Sequence, residues 1–218
     1  MSVFAAVPVK DLVNAKQRLV PVLSGDERSE LARSMLEDVL DALAVARFEA
    51  VHVVTRDAAV IELARRRGVG CLTERANRGH TEAVAFAQRE ALTAGAVRFI
   101  TVPGDVPCTT ADELVQLAEA LGGGPGVAFV PSLSGFGTNG VLLTPPDAMA
   151  LKFGEPSFGN HLEAARDRGW RPRVLNLPGL GLDIDAPEDL AALLERGSHT
   201  RSAALLRRLD VATRLSSA

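Results

Sequence analysis

Short apolar runs rich in β-branched residues alternate with longer stretches of helical periodicity along almost the whole chain, and this alternation restricts the fold more than any other feature. The runs are Val3 to Val7, Ala50 to Thr55, Val69 to Leu72, Val97 to Val102 and Val127 to Val130. Continuous apolar strands separated by amphipathic helices belong to a mostly parallel sheet covered on both faces, so an α/β domain is expected. Helices are expected over Asp26 to Ala46, from Asp57 to Gly68, over Thr81 to Ala94, after Thr110, over Ser157 to Arg168 and at the end of GLDIDAPEDLAALLERG. Two of them carry a capping-box start, Ser24 with Glu27 and Thr110 with Glu113. VLLT reads as a strand stopped by Pro145 and Pro146, and Arg173 to Leu177 as a further strand. An amphipathic helix from about Arg201 to Leu215 closes the chain. Residues 1–196 are expected to form one domain, with 197–218 as a C-terminal helix and tail.

With 218 residues and 47% of them hydrophobic, the chain can bury a sizeable core. Acidic residues outnumber basic ones 27 to 24, and a net charge of -3 provides no electrostatic footprint for nucleic acid or an anionic membrane. No apolar run approaches the roughly 18 residues that cross a bilayer, and MSVFAAVPVK lacks the basic start of a secretory signal. A cytoplasmic location is expected. Cys71 and Cys108 have neither zinc-site spacing nor disulfide density and read as small buried apolar residues.

Chemistry is expected where strands end, because open α/β sheets bind ligands beyond the carboxyl ends of their strands. The segment PVKDLVNAKQRL follows the first strand and carries Lys10, Lys16 and Arg18. Only three lysines occur in the chain, and two of them lie here. Such groups grip phosphates through charge-assisted hydrogen bonds, although a solvated basic loop accounts for the same composition. PGDVP places Asp105 directly after a buried strand, suited either to holding Mg²⁺ or to forming a turn through its own backbone. In GLDIDAPEDL, Asp183 and Asp185 flank Ile184, and an extended backbone turns both carboxylates to one side, where a cation would relieve their repulsion. Asp185 as a plain helix cap is the other reading.

GFGTNG matches the spacing of a dinucleotide-binding loop, but VLLTPP follows it where that motif needs a helix. A turn whose amides, with Thr138 and Asn139, approach an anionic ligand fits better. In FGEPSFGNHL, Gly154 and Ser157 precede a helix, so Ser157 either meets an anion at the helix start or acts as an ordinary N-cap. His80 and His161 lack the partner spacing of a metal ligand or a nucleophile triad and are read as structural or substrate-adjacent. No nucleophile elbow, P-loop or zincin motif is present.

In this order and spacing, PVKDLVNAKQRL, PGDVP, GTN, FGEPSFGNH and GLDIDAPEDL resemble the 2-phospho-L-lactate guanylyltransferase family, which includes phosphoenolpyruvate and 3-phosphoglycerate guanylyltransferases of deazaflavin coenzyme F-420 biosynthesis. The resemblance runs from Val3 to about Leu194. It implies a single-domain nucleotidyltransferase fold of the Rossmann-like, glycosyltransferase-A-like kind. It implies GTP as substrate and two Mg²⁺ ions held by Asp105, Asp183 and Asp185. The nucleotide would be met by Pro8, Lys10, Lys16, Arg18, His80, Thr81 and Gly104, with Lys10, Lys16, Arg18 and Asp105 serving the reaction. Thr138, Asn139, Gly154 and Ser157 would receive the acceptor phospho-acid. Two departures stand out: GHTEA, with His80, Thr81 and Glu82, replaces a leucine-asparagine pair, and Ala186 replaces a threonine.

The expected reaction is attack by an acceptor phosphate oxygen on the α-phosphorus of GTP with release of pyrophosphate. The alternatives are a related nucleotidyltransferase with another base or acceptor, and a non-catalytic nucleotide-binding module. Expected partners are small molecules, and the terminal helix can pack on this chain or on a second copy.

Overall fold

The computed structural model describes residues 2–13, 15–73 and 79–216. Among these described residues, seven strands form one sheet in the order β3-β2-β1-β4-β6-β5-β7. They are β1 Val3–Pro8, β2 Ala50–Thr55, β3 Gly70–Thr73, β4 Arg98–Thr101, β5 Gly126–Pro131, β6 Thr138–Thr144 and β7 Arg173–Val174. Only β6 runs against its neighbours, pairing antiparallel with both β4 and β5. The expected mostly parallel α/β sheet is therefore the one observed.

The helices are α1 Gly25–Ala46, α2 Ala58–Arg66, α3 His80–Thr93, α4 Ala111–Glu119, α5 Ser157–Asp167, α6 Pro187–Arg196, α7 Arg201–Arg208 and α8 Val211–Ser216. Both capping boxes form, Ser24 with Glu27 and Thr110 with Glu113. The single terminal helix expected from the amphipathic pattern is two, because Asp210 adopts a left-handed backbone (φ 50°) and interrupts it.

All of β1 is buried, and its side chains alternate between two cores. Val3, Ala5 and Val7 join the apolar faces of α1, α2, α4, α6 and α7 on one side of the sheet. Phe4 and Ala6 face the other side, with Ala83, Val84 and Ala87 of α3 and Ala165 of α5. Two covered faces explain why the strands read as continuous apolar runs. Cys108 is buried as expected, and burial pushes its thiol up to about 11, whereas Cys71 is only partly covered because β3 is an edge strand.

One expectation is corrected. Thr138, Asn139 and Gly140 lie in β6 and not in a glycine turn; the turn ends at Gly137. A glycine at position 140 is required by close approach, since a Cβ there would meet Val130 Cβ at 3.0 Å and Leu180 Cδ2 at 2.9 Å.

Candidate active site

The carboxyl ends of the parallel neighbours β1 and β4 open on the same edge of the sheet. A cavity of about 570 Å³ lies there, lined among others by Pro8, Lys10, Lys16, His80, Gly104, Asp105 and Asp185. A second, of about 390 Å³, shares Pro8, Lys10 and His80 with it and extends to Arg56, Asp57 and Gly79. Together they form one cleft.

The loop after β1 is anchored from both ends. The Val9 amide donates to the Val54 carbonyl (2.9 Å) and the Leu12 amide to Asp57 Oδ2 (2.9 Å). Asp57 also caps α2 through its other oxygen, accepting from the Ala59 and Val60 amides. Leu12 and Leu19 are buried, which pins the loop to the core. Lys16 has a left-handed backbone (φ 56°, ψ 47°), unusual for a residue with a side chain and characteristic of sites held by their surroundings. Its Nζ stands 2.5 Å from Asp105 Oδ2 and 2.8 Å from Asp185 Oδ1. Burial pulls the Lys16 ammonium down, but the two carboxylates outweigh it and hold its pKa above the ordinary lysine value. The pairing shows the helix-cap reading of Asp185 to be wrong: the N-cap of α6 is Ala186. Asp189 supplies the other half of a capping box, its Oδ2 accepting from the Asp185 and Ala186 amides, and its own amide, which a cap hydroxyl would otherwise take, donates to the Ala186 carbonyl (3.0 Å).

The segment that carries the two aspartates is tied down on several sides. Glu113 of α4 accepts from the Gly179 amide (2.7 Å) and the Leu180 amide (3.1 Å). The Ile184 amide donates to the Asp105 carbonyl (3.1 Å), locking the two acidic segments together. Asn139 donates to Asp183 Oδ1 and to the Gly181 carbonyl, both at 3.0 Å. Asn139 is thus engaged with Asp183, not offered to an acceptor. The Asp183 carboxyl is pushed above its usual range by burial, opposed by the Asn139 bond and reinforced by the charge of Asp105. Asp183 thus feels both neighbouring aspartates, and the donor set is of hard oxygens suited to a divalent cation. Among the described residues, however, no three carboxylates, histidines or cysteines already stand at the spacing of a bound ion.

Successive residues of a strand face opposite ways, so Thr138 turns from Asn139 toward α5. Thr138 Oγ1 accepts from Ser157 Oγ (3.2 Å) and lies 3.0 Å from His161 Nδ1. Ser157 is the first residue of α5 and not its N-cap, which is Pro156, so the plain capping role falls away. Gly154 is exposed with φ 109°, a conformation that side chains disfavour. Thr81 accepts from the Phe153 amide (3.0 Å), and the Phe153 ring stands edge-on to His80 (centroids 4.4 Å) and to His161 (5.1 Å). The segment around Gly154 is thereby joined to the start of α3 at the cleft.

Arg18 is not brought to this centre: it sits exposed on the 3₁₀ turn Gln17–Leu19 and does not line the cleft. Arg56 does line it, in the position after β2 that Lys10 approaches after β1, a parallel the residue pattern alone could have suggested.

A model of the guanylyl transferase family described as CofC like matches residues 3–218, the terminal helices included. The chain belongs to this CofC-like family. It is 42% identical over 197 residues to the phosphoenolpyruvate guanylyltransferase of Rubrobacter xylanophilus, covering 90% of this chain and 96% of that one. It is 34% identical over 209 residues to the 2-phospho-L-lactate guanylyltransferase of Methanothermobacter thermautotrophicus, covering 96% and 92%. Among solved structures, a nucleotidyl transferase from Methanothermobacter superposes with a TM-score of 0.65 at 17% identity, over 95% of this chain and 99% of that one. The synthetase of CMP:2-keto-3-deoxy-manno-octonic acid, solved with CTP, superposes with a TM-score of 0.59 at 13% identity, over 91% and 99%. These structures establish the nucleotidyltransferase fold for this CofC-like chain.

Proposed function

We propose that this protein transfers the guanylyl group of GTP to the phosphate of a small phospho-acid, phosphoenolpyruvate, 2-phospho-L-lactate or 3-phospho-D-glycerate, releasing pyrophosphate. The product, a diphosphate that joins guanosine to the acid, would serve deazaflavin coenzyme F-420 biosynthesis. The observation that carries this reading is the buried Lys16 ammonium held between Asp105 and Asp185 in the cleft, in a chain of the guanylyl transferase family.

In the reaction an oxygen of the acceptor phosphate forms a bond to the α-phosphorus as the bond to the bridging oxygen breaks and pyrophosphate departs. The nucleophile is already an anion, so no side chain need remove a proton. The protein's contribution is alignment and charge neutralisation. Lys10 and Lys16 would meet the triphosphate, with Pro8, His80, Thr81 and Gly104 shaping the nucleotide end; Arg56 is added to this set and Arg18 is placed at its periphery. Asp105, Asp183 and Asp185 would hold Mg²⁺, which when bound supplies positive charge to the α-phosphate and the leaving pyrophosphate. Thr138, Gly154 and Ser157 would receive the acceptor's phosphate and carboxylate, while Asn139 orients Asp183.

The test is pyrophosphate release from GTP and Mg²⁺ with each of the three phospho-acids offered singly, and ATP and CTP as controls. Release with GTP and one acid is the expected result and names the acceptor. Silence with all three acids would sink the proposal.

A further inference from the structure

His161 of α5 is 1% exposed, yet both its ring nitrogens are engaged. The Lys152 amide points at Nε2 (3.0 Å), and an amide can only donate, so Nε2 must carry a lone pair. A neutral imidazole then bears its single hydrogen on Nδ1, which faces Thr138 Oγ1 at 3.0 Å. Burial holds the ring neutral, with its pKa down at about 4. Stacking on Phe129 (centroids 5.5 Å, planes 10° apart) and the edge of Phe153 fix its plane.

The consequence falls on Thr138. Its oxygen accepts from His161 Nδ1 and from Ser157 Oγ, which uses both lone pairs. The Thr138 hydroxyl hydrogen must therefore point to a third group, and only an acceptor can meet it. A phosphate or carboxylate oxygen is such a group. On the opposite side, the Lys152 bond fixes the chain two residues before Gly154.

We propose that His161 is a positioning residue of the acceptor pocket, which as the Nδ1–H tautomer sets Thr138 as an outward hydrogen-bond donor and seats the Lys152–Gly154 segment. The proposal deepens, and rests on, the acceptor-site reading given above. It assigns His161 no contact with substrate.

Two measurements test it. The first is the ring ¹⁵N spectrum of the wild-type protein at pH 7, which is expected to show hydrogen on Nδ1; hydrogen on Nε2 overturns the proposal and needs no variant to fold. The second compares KM values for phosphoenolpyruvate, 2-phospho-L-lactate or 3-phospho-D-glycerate, whichever supports turnover, with that for GTP. His161→Gln keeps an acceptor for the Lys152 amide but loses the donor to Thr138, so the phospho-acid KM is expected to rise about tenfold, the worth of one net hydrogen bond, while the GTP KM stays within about twofold. His161→Asn places an amide donor near the Nδ1 position and is expected to recover part of that loss. In a Thr138→Val background, His161→Gln should add nothing further, because the group it orients is gone. Equal rises for both substrates, or full additivity with Thr138→Val, overturn the role of His161. If Thr138→Val itself leaves the phospho-acid KM unchanged, the acceptor-site reading fails instead, and the two failures are thereby told apart.

Discussion

Lys16 and Asp185 are 169 positions apart in the chain and 2.8 Å apart in the fold. The same ammonium stands 2.5 Å from Asp105, so one positive charge is shared by two carboxylates, with Asp183 close enough to feel both. The cluster has a formal surplus of negative charge, three aspartates against one lysine. That surplus would favour a divalent cation, and Lys16 is the counter-charge the chain itself supplies.

Replacing Lys16 by Gln is expected to reduce turnover by about two to three orders of magnitude, the usual effect of removing a group that stabilises developing charge. It also leaves Asp105 and Asp185 facing each other without a cation. Added Mg²⁺ should therefore raise the melting temperature of Lys16→Gln more than that of the wild type. Equal shifts in a thermal melt would show that the lysine and the metal do not share these carboxylates.

Asp183→Asn keeps an oxygen that can accept from Asn139, so the fold should survive while the charge is lost. Turnover is expected to drop by orders of magnitude, with chelation abolishing wild-type activity and Mg²⁺ restoring it. A near-wild-type rate for this variant in a pyrophosphate-release assay would remove Asp183 from the metal site.

Much of the candidate site was legible because strand ends announce themselves: Lys10 and Lys16 follow β1, Asp105 follows β4, and the D-x-D spacing marks Asp183 and Asp185. What holds these groups was not. The Glu113 carboxylate reads only as half of a capping box, and its bonds to Gly179 and Leu180 span 66 and 67 positions. Asp57 reads only as the start of a helix, and its hold on Leu12 crosses 45 positions. In the fold, the alternation of apolar runs and helices carried through to a mostly parallel sheet. The start of β6 was hidden, because glycine and asparagine disfavour strands in general and only pairing with β5 overrides that preference at Thr138 to Gly140.

Glu113→Gln should show how much those long-range bonds matter. Glu113 accepts from three amides, those of Gly179, Leu180 and Thr110. Glutamine replaces one accepting oxygen with a donor that faces an amide donor, an arrangement expected to cost about 1–3 kcal/mol. Urea unfolding should register that loss, and kcat/KM should fall as well, because the segment carrying Asp183 and Asp185 loosens. Unchanged kcat/KM in a destabilised variant would separate Glu113 from the site.

Burial lowers the pKa of His161 to about 4, and burial together with Lys10 does the same to His80 against the opposing pull of Asp105. Between the ordinary histidine value of about 6.5 and 4, the unfolded chain binds protons that the folded chain refuses. Stability is then complete above about pH 6.5 and declines as pH falls toward 4, by roughly 3 kcal/mol for a fully buried ring. Melts of the wild type and His161→Asn from pH 7.5 to 4.5 should converge as pH falls. Parallel curves would mean that His161 titrates normally.

The C-terminal helices are built into the same core as the rest of the chain. Ala203, Leu205 and Leu206 of α7 and Val211 of α8 pack with α1 and α6 residues in one cluster. Asp38, a largely buried carboxylate of α1, accepts from the Arg201 amide (2.9 Å), the Ser202 amide (3.0 Å) and Ser202 Oγ (2.6 Å). Arg214 reaches back in a two-pronged pair to Glu27 at the start of α1, both bonds at 3.0 Å. An appended tail would come off without consequence; this one leaves apolar surface of α1 exposed and an unpartnered buried carboxylate. Asp38→Ala, which strands two helix-start amides, is expected to cost about 2–3 kcal/mol, and removal of 197–218 considerably more. Arg214→Ala, which breaks a solvent-screened pair, should cost the least of the three. Chemical unfolding of the three variants should give that order, each as a single transition, whereas a truncated chain as stable as the full one would make 197–218 a dispensable appendage.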